Sequence, residues 1–198
     1  MKKKNKLRKQ SFQITAIVAV IAIGCASLFL TSCSGSYDIG DKGPGGGLII
    51  YVNRAGFTVD GYGTAYYLEA APVALGEFAW ASESHLNTDV EGTETKIGSG
   101  RKNTDLILAV DPNAPAAKAC VEYRGGGKRD WFLPSGDELN ALYEQRALFV
   151  DGSRDEFWSS SQGSDSRNAW LHGFDGDYRG SDGYRKYDDR SVRAVRAF

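Results

Sequence analysis

Trp131-Phe132-Leu133-Pro134-Ser135-Gly136-Asp137-Glu138-Leu139 carries the clearest structural instruction in the chain. Trp131-Phe132-Leu133-Pro134 is an apolar entry into a helix. Ser135 and Glu138 then form an S-x-x-E capping box, in which two side chains satisfy backbone N–H groups at a helix start. Leu139, Leu142, Tyr143 and Arg146 follow at helical spacing, so the predicted helix has one mostly apolar face. Such a face needs a partner surface, and the rest of the chain has to supply it.

Upstream, Pro115 suits the first turn of another helix. It places Ala116, Ala119, Cys120 and Tyr123 on one face, and Gly125-Gly126-Gly127 stops it. Asn103-Thr104 is the expected cap of a further helix through Leu106, Ile107 and Val110, ended by Asp111-Pro112. Residues 83–100 are polar and rich in Gly and Thr, and read as loop. Before them come three apolar runs that read as strands: 48–52, 66–70 and 78–81. A turn at Gly43-Pro44-Gly45-Gly46-Gly47 leads into the first. Downstream, four short β segments at 157–161, 169–174, 183–187 and 192–198 are separated by Gly and Asp clusters, as in hairpins. The last alternates, with Val192, Ala194, Arg196 and Phe198 on one side and Arg193, Val195 and Ala197 on the other. Strands, then helices, then strands argue for an α+β domain.

The front of the chain speaks to location. Lys2, Lys3, Lys4, Lys6, Arg8 and Lys9 precede an uncharged apolar run from Ile14 to Leu30, which ends in Leu30-Thr31-Ser32-Cys33. A basic region, an apolar region and small residues make a secretory signal. The ending resembles a bacterial lipobox, which implies cleavage before Cys33 and lipidation of that residue. The alternative is an uncleaved membrane anchor, although the run is barely long enough to span a bilayer. The expected organisation is a signal peptide at 1–32, a lipidated Cys33 with a flexible tether at 33–42, and a ligand-binding domain at 43–198. The expected location is the bacterial cell envelope, at the outer membrane or cell surface.

Removal of 1–32 takes away six of the 24 Lys and Arg and none of the 25 Asp and Glu, leaving a net charge of about −7. That balance speaks against a nucleic-acid partner, since domains that bind nucleic acid usually carry a basic patch. Cys25 leaves with the signal and Cys33 is lipidated, so Cys120 has no partner for an internal disulfide. It reads as a small buried hydrophobe.

Several chemistries can be set aside on pattern. Gly127-Lys128 is followed by Arg129, and Glu122 stands where a P-loop needs its first Gly. Asp175-Gly176-Asp177-Tyr178-Arg179-Gly180 opens like an EF-hand loop, but Arg179 and Lys186 occupy ligand positions. A different Ca²⁺ site using Asp175, Asp177 or Asp182 stays open. His85, His172 and Cys120 lack zinc spacing, and neither His sits near a nucleophile pattern. Both histidines read as solvent-exposed. The sequence therefore predicts no enzyme, no metal and no cofactor.

Residues 159–191 have a distinctive composition. Ser, Asp, Gly, Arg, Tyr, Asn and His fill 27 of the 33 positions, close to the vocabulary of an antibody paratope. Trp158, Trp170, Phe174 and the last strand punctuate the stretch as apolar anchors. It reads as a folded contact surface formed by Ser164, Asp165, Ser166, Arg167, Asn168, His172, Asp177, Tyr178, Arg179, Ser181, Asp182, Tyr184, Arg185, Tyr187, Asp188, Asp189 and Arg190. The mixed charges favour a protein ligand over a single-sign surface. Tyr178, Tyr184 and Tyr187 are the expected aromatic anchors.

The segments 46–52, 68–72, 97–104, 131–139, Trp158-Ser159-Ser160-Ser161, Ala169-Trp170, Phe174 and 192–198 occur in an order that resembles the Lcl C-terminal domain family of bacterial surface lipoproteins. The resemblance covers about residues 43–198. It implies a C-type-lectin-like fold related to the formylglycine-generating group, with helices against a small, mainly antiparallel sheet and the C-terminal strand near the N-terminal one. Some family members are variable proteins of diversity-generating retroelements, in which adenines near the end of the gene are randomised. The dominant residues of 159–191 are reachable from a randomised AAC codon, while Lys186 and Trp170 are not. A plain polar surface would overlap with that set. The resemblance implies a lipid-anchored ligand-binding protein of the adhesin or receptor kind. The alternatives are a structural envelope lipoprotein without a specific ligand, Ca²⁺-type carbohydrate recognition without its signature, and a formylglycine-generating-like enzyme lacking its thiol pair.

Overall fold

The computed structural model describes residues 35–149, 156–174 and 181–198. The expected signal peptide and lipobox, with Cys33, lie outside them, as does the Asp175–Gly180 stretch. Residues 37–198 form one unit, and its described residues build a mixed α+β arrangement of two sheets and three α-helices.

The first sheet is a hairpin extended by the end of the chain. Strands β1 (Leu48–Val59) and β2 (Gly63–Ala70) pair antiparallel. Strand β8 (Val195–Ala197) joins the free side of β2, giving the order β1-β2-β8. The second sheet runs β3 (Gly76–Phe78), β7 (Arg190–Val192), β4 (Glu156–Gln162), β5 (Asn168–Gly173), β6 (Ser181–Arg185). Its strands pair antiparallel except β4 with β7. Strand β4 lies at the centre of that sheet, and Phe157 to Ser161 are buried on both faces.

Burial divides between two clusters. Trp158 joins Trp80, Trp131 and the inner faces of α1 (Gly100–Val110) and α2 (Pro115–Glu122). Its neighbour Phe157, pointing the other way, joins Leu139 and Leu142 of α3 (Gly136–Glu144) with Ile50, Leu68 and Val195 of the first sheet. Period-two alternation along β4 thus feeds both halves of the core.

Helix α3 starts as the sequence requires, with both halves of the Ser135–Glu138 capping box present. Helix α1 does not start where expected. It begins at Gly100, and Asn103 and Thr104 are buried inside it rather than capping it. Asn103 reaches out of the helix, its Nδ2 donating to the Glu94 carbonyl at 2.6 Å. Thr104 Oγ1 donates to the Gly100 carbonyl at 2.8 Å and accepts from Leu133 N at 3.1 Å. The third strand ends at Phe78, where the expected one began, and Trp80 and Ala81 are buried beyond it.

The final alternating run is two strands, not one. β7 belongs to the second sheet and β8 to the first, with Arg193 and Ala194 crossing between them. All of Ser191 to Arg196 is buried, so neither side of the predicted alternation faces water. Arg193 donates from Nη1 to the Ala71 carbonyl at 2.8 Å and lies over the Phe149 ring at 4.3 Å.

The Gly-rich turn before β1 has a definite task. Glu69 on β2 is fully buried, and its carboxylate accepts from Gly45 N at 2.9 Å and Gly47 N at 2.7 Å. The loop is an internal anion nest, with a protein carboxylate where other Gly loops hold phosphate.

Candidate functional site

Of the predicted contact residues, Ser164 to Asn168, together with Tyr184, Arg185, Tyr187, Asp188 and Asp189, fall on or beside two adjoining turns at the end of β5 and β6 where Asn168 pairs with Arg185. The first turn is organised by Asp165. Its Oδ1 accepts from Arg167 N at 2.8 Å, and its Oδ2 accepts from Asn168 Nδ2 at 3.1 Å, with Arg167 Nη2 at 3.3 Å. The Arg167 backbone N–H and guanidinium hold this carboxyl below its ordinary range. A short acidic side chain bonded to the backbone two residues on is an Asx turn. Ser164 and Arg167 are exposed, and Asp165, Ser166 and Asn168 are half-buried.

The second turn follows β6. Asn168 pairs with Arg185 and Ala169 with Tyr184, and Lys186 N donates to the Arg167 carbonyl at 2.9 Å. The two turns are therefore side by side. From Gly183 onward the chain alternates: Gly183, Arg185, Tyr187 and Asp189 are exposed, whereas Tyr184, Lys186, Asp188 and Arg190 turn inward to differing depths. Tyr187 is 59% exposed, while Tyr184 packs against the first core cluster. Arg190 lies 2.7 Å from Glu156 and 3.2 Å from Asp188 in ion pairs. Asp177, Tyr178 and Arg179 lie outside the described residues, and Ser181 and Asp182 are described by backbone alone.

Three parts of the expected surface are scaffold instead. His172 is 2% exposed, stacked on Tyr143 at 4.3 Å, with Nδ1 2.9 Å from the Gly173 carbonyl. It faces α3 because β5 alternates and α3 covers that side. His85, by contrast, is half-buried beside Ser82, Ser84 and Asp111. Ser159, Ser160 and Ser161 share the composition of the contact stretch but are buried on the central strand. They join elements: Ser161 Oγ donates to the Glu94 carbonyl at 2.8 Å and accepts from Gly136 N at 3.2 Å, and Ser160 Oγ accepts from Asn103 Nδ2 at 3.2 Å. Ser191 is likewise buried.

Lys186 is the hub beneath the two turns. It is 1% exposed, and its carbonyl accepts from Trp80 N at 2.9 Å and Ala81 N at 3.3 Å. Its Nζ donates to the Thr88 carbonyl at 2.8 Å and to Gln162 Oε1 at 2.9 Å, 4.5 Å from the centre of the Trp80 ring. Burial pushes its amine down to about 8, against the pull of Asp89 and Asp165. Lys186 lies outside the randomised set, and so does Gln162, since Gln also cannot arise from a randomised AAC codon.

Among the described residues no group of three or more His, Cys, Asp or Glu side chains is arranged to hold a metal ion. Cys120 is buried and its thiol is pushed upward by burial, which suits packing rather than nucleophilic attack. No protein-family model matches the chain, and no curated protein matches it.

Proposed function

We propose that this protein is a lipid-anchored binding module of the bacterial cell envelope, and that its two adjoining turns contact a protein ligand. The observation that carries this reading is the division between outward and inward positions along 183–187. Gly183, Arg185 and Tyr187 face solvent and belong to the set reachable from a randomised Asn codon, to which the inward Tyr184 belongs as well. Lys186, outside that set, is buried beneath them, and Gln162 and Trp170, also outside it, are half-buried. A variable display needs replaceable residues outside and fixed ones inside. Exposed Tyr and Arg are also among the side chains that carry interface energy.

The same reading takes the domain as C-type-lectin-like and akin to the Lcl C-terminal domain, with the C-terminal strand beside the N-terminal hairpin supporting the comparison. It assigns no catalytic role.

The test is genetic and then biochemical. A near-copy of the 3′ end of the gene, differing at adenines and lying beside a reverse transcriptase gene, is the expected finding for the variable reading. Full-length protein in vesicles, screened against extracellular proteins with and without Arg185→Ala and Tyr187→Ala, tests contact directly. Binding that survives both substitutions sinks the assignment of this surface.

A further inference from the structure

Gln162 directly precedes the first turn of the contact surface and Lys186 lies within the second, and their side chains meet beneath the two turns. The arrangement around the Gln162 amide resembles an acyl-transfer site. Its Oε1 accepts the backbone N–H of Val90 at 2.6 Å as well as Lys186 Nζ at 2.9 Å. Its Nε2 donates to Asp89 Oδ1 at 2.8 Å. These partners fix which end of the amide is oxygen, since two donors face one end and a carboxylate the other. The carbonyl is thus polarised by a fixed N–H, the leaving nitrogen touches a carboxylate, and a buried primary amine lies 2.9 Å from the acyl oxygen.

We propose that Lys186 and Gln162 form an intramolecular isopeptide bond, a self-catalysed modification that staples the base of the contact surface. In its neutral form the Lys186 Nζ lone pair attacks Gln162 Cδ. Oε1 takes up the negative charge and is held by the Val90 N–H, as in an oxyanion hole. Asp89 passes to Nε2 the proton that Nζ gives up. The Cδ–Nε2 bond breaks, ammonia leaves, and the Nζ–Cδ amide remains. No electrons change hands and no co-reactant is consumed. Folding supplies the proximity that makes an unactivated amide reactive. The depressed amine of Lys186 supplies the neutral nucleophile at mildly alkaline pH, where a solvated lysine would stay charged.

The staple would make the display tolerant of its own sequence. A covalent closure between 162 and 186 restrains the unfolded chain as a disulfide does, whatever residues lie between. Both anchor residues lie outside the randomisable set.

The experiment is peptide mass spectrometry on the full-length folded protein after incubation near pH 9, followed by tryptic digestion. The expected product is peptide 155–167 joined to peptide 186–190, lighter by one ammonia than their sum. Lys186→Arg and a chain held in denaturant should lack it, and Asp89→Asn should slow its formation by about a hundredfold or more, the scale of general acid–base assistance. Recovery of peptide 155–167 from the folded wild type only in unlinked form, with its amide intact or hydrolysed to Glu, overturns the proposal. Linkage at the wild-type rate in Asp89→Asn overturns the mechanism.

Discussion

Glu69 and Arg196 form an ion pair at 3.0 Å with side chains 0% and 6% exposed, and the pair locks the last strand to the hairpin that opens the fold. Arg196 also reaches Asp130 at 2.8 Å, tying in the segment before α3. Removing one member of a buried pair strands the other charge, at a cost of about 3–5 kcal/mol. Arg196→Met is therefore expected to lower the unfolding free energy by about that amount, read as a fall in urea midpoint at constant slope. A loss below about 1 kcal/mol would show that the Gly45 and Gly47 N–H groups suffice for Glu69.

Gly47 tests the same cradle through its backbone. A Cβ there would overlap the Ala70 carbonyl oxygen and crowd the Glu69 side chain. Since the obstacle is a main-chain atom of β2, it cannot swing away as a flexible side chain would. Gly47→Ala should cost about 2–3 kcal/mol, in the range of overpacking. Gly61→Ala is the control for space, since nothing lies within 4 Å of its Cβ position. Thermal melts of the two proteins should separate clearly, with Gly61→Ala paying only for its left-handed backbone.

Glu138 makes a pH-dependent contribution. Burial pushes its carboxyl up to about 7 from 4.5, although the N–H groups of Ser135, Gly98 and Gly100 pull the other way. Between those two values the folded state holds a proton that the unfolded state has released. Its contribution to stability is therefore full below about 4.5 and is lost as pH rises through about 7. The advantage of wild type over Glu138→Gln should shrink by about 2–3 kcal/mol between pH 4.5 and pH 8, by denaturant titration at each pH. A constant difference would mean that the three N–H groups keep the carboxylate charged throughout.

How far the sequence led depends on whether each instruction was local. The Ser135–Glu138 box lies within four residues and was legible. That the same carboxylate also accepts from Gly98 N, at 2.9 Å, was not. Position 100, where α1 begins, leaves no room for a side chain because Glu138 Oε2 and Ser135 N lie where a Cβ would sit, a long-range constraint without a local cap signal. Alternation in the last run suggested one strand with a wet face. Two sheets share that run, and the buried Arg193 and Arg196 mimic polar surface positions. In the contact stretch, composition pointed to Arg167, Arg185 and Tyr187, which are exposed. It could not separate the buried Ser159–Ser161 from Ser164, because the distinction lies in strand position rather than residue type.

Tyr184 and Tyr187 should part company for that reason. The sequence treated them alike as anchors, but they point to opposite sides of the chain. Tyr187 is exposed, so Tyr187→Ala should change stability by no more than about 0.5 kcal/mol, as surface substitutions do. Tyr184 packs on the first core cluster and has the Arg190 guanidinium 5.9 Å from its ring centre. Tyr184→Ala should cost about 1–3 kcal/mol in lost burial. Calorimetric melts of the two single variants decide the matter. Equal and large losses would place Tyr187 in the core and leave the contact surface without its exposed aromatic. Equal and negligible losses would release Tyr184 from the scaffold and make both available to a ligand.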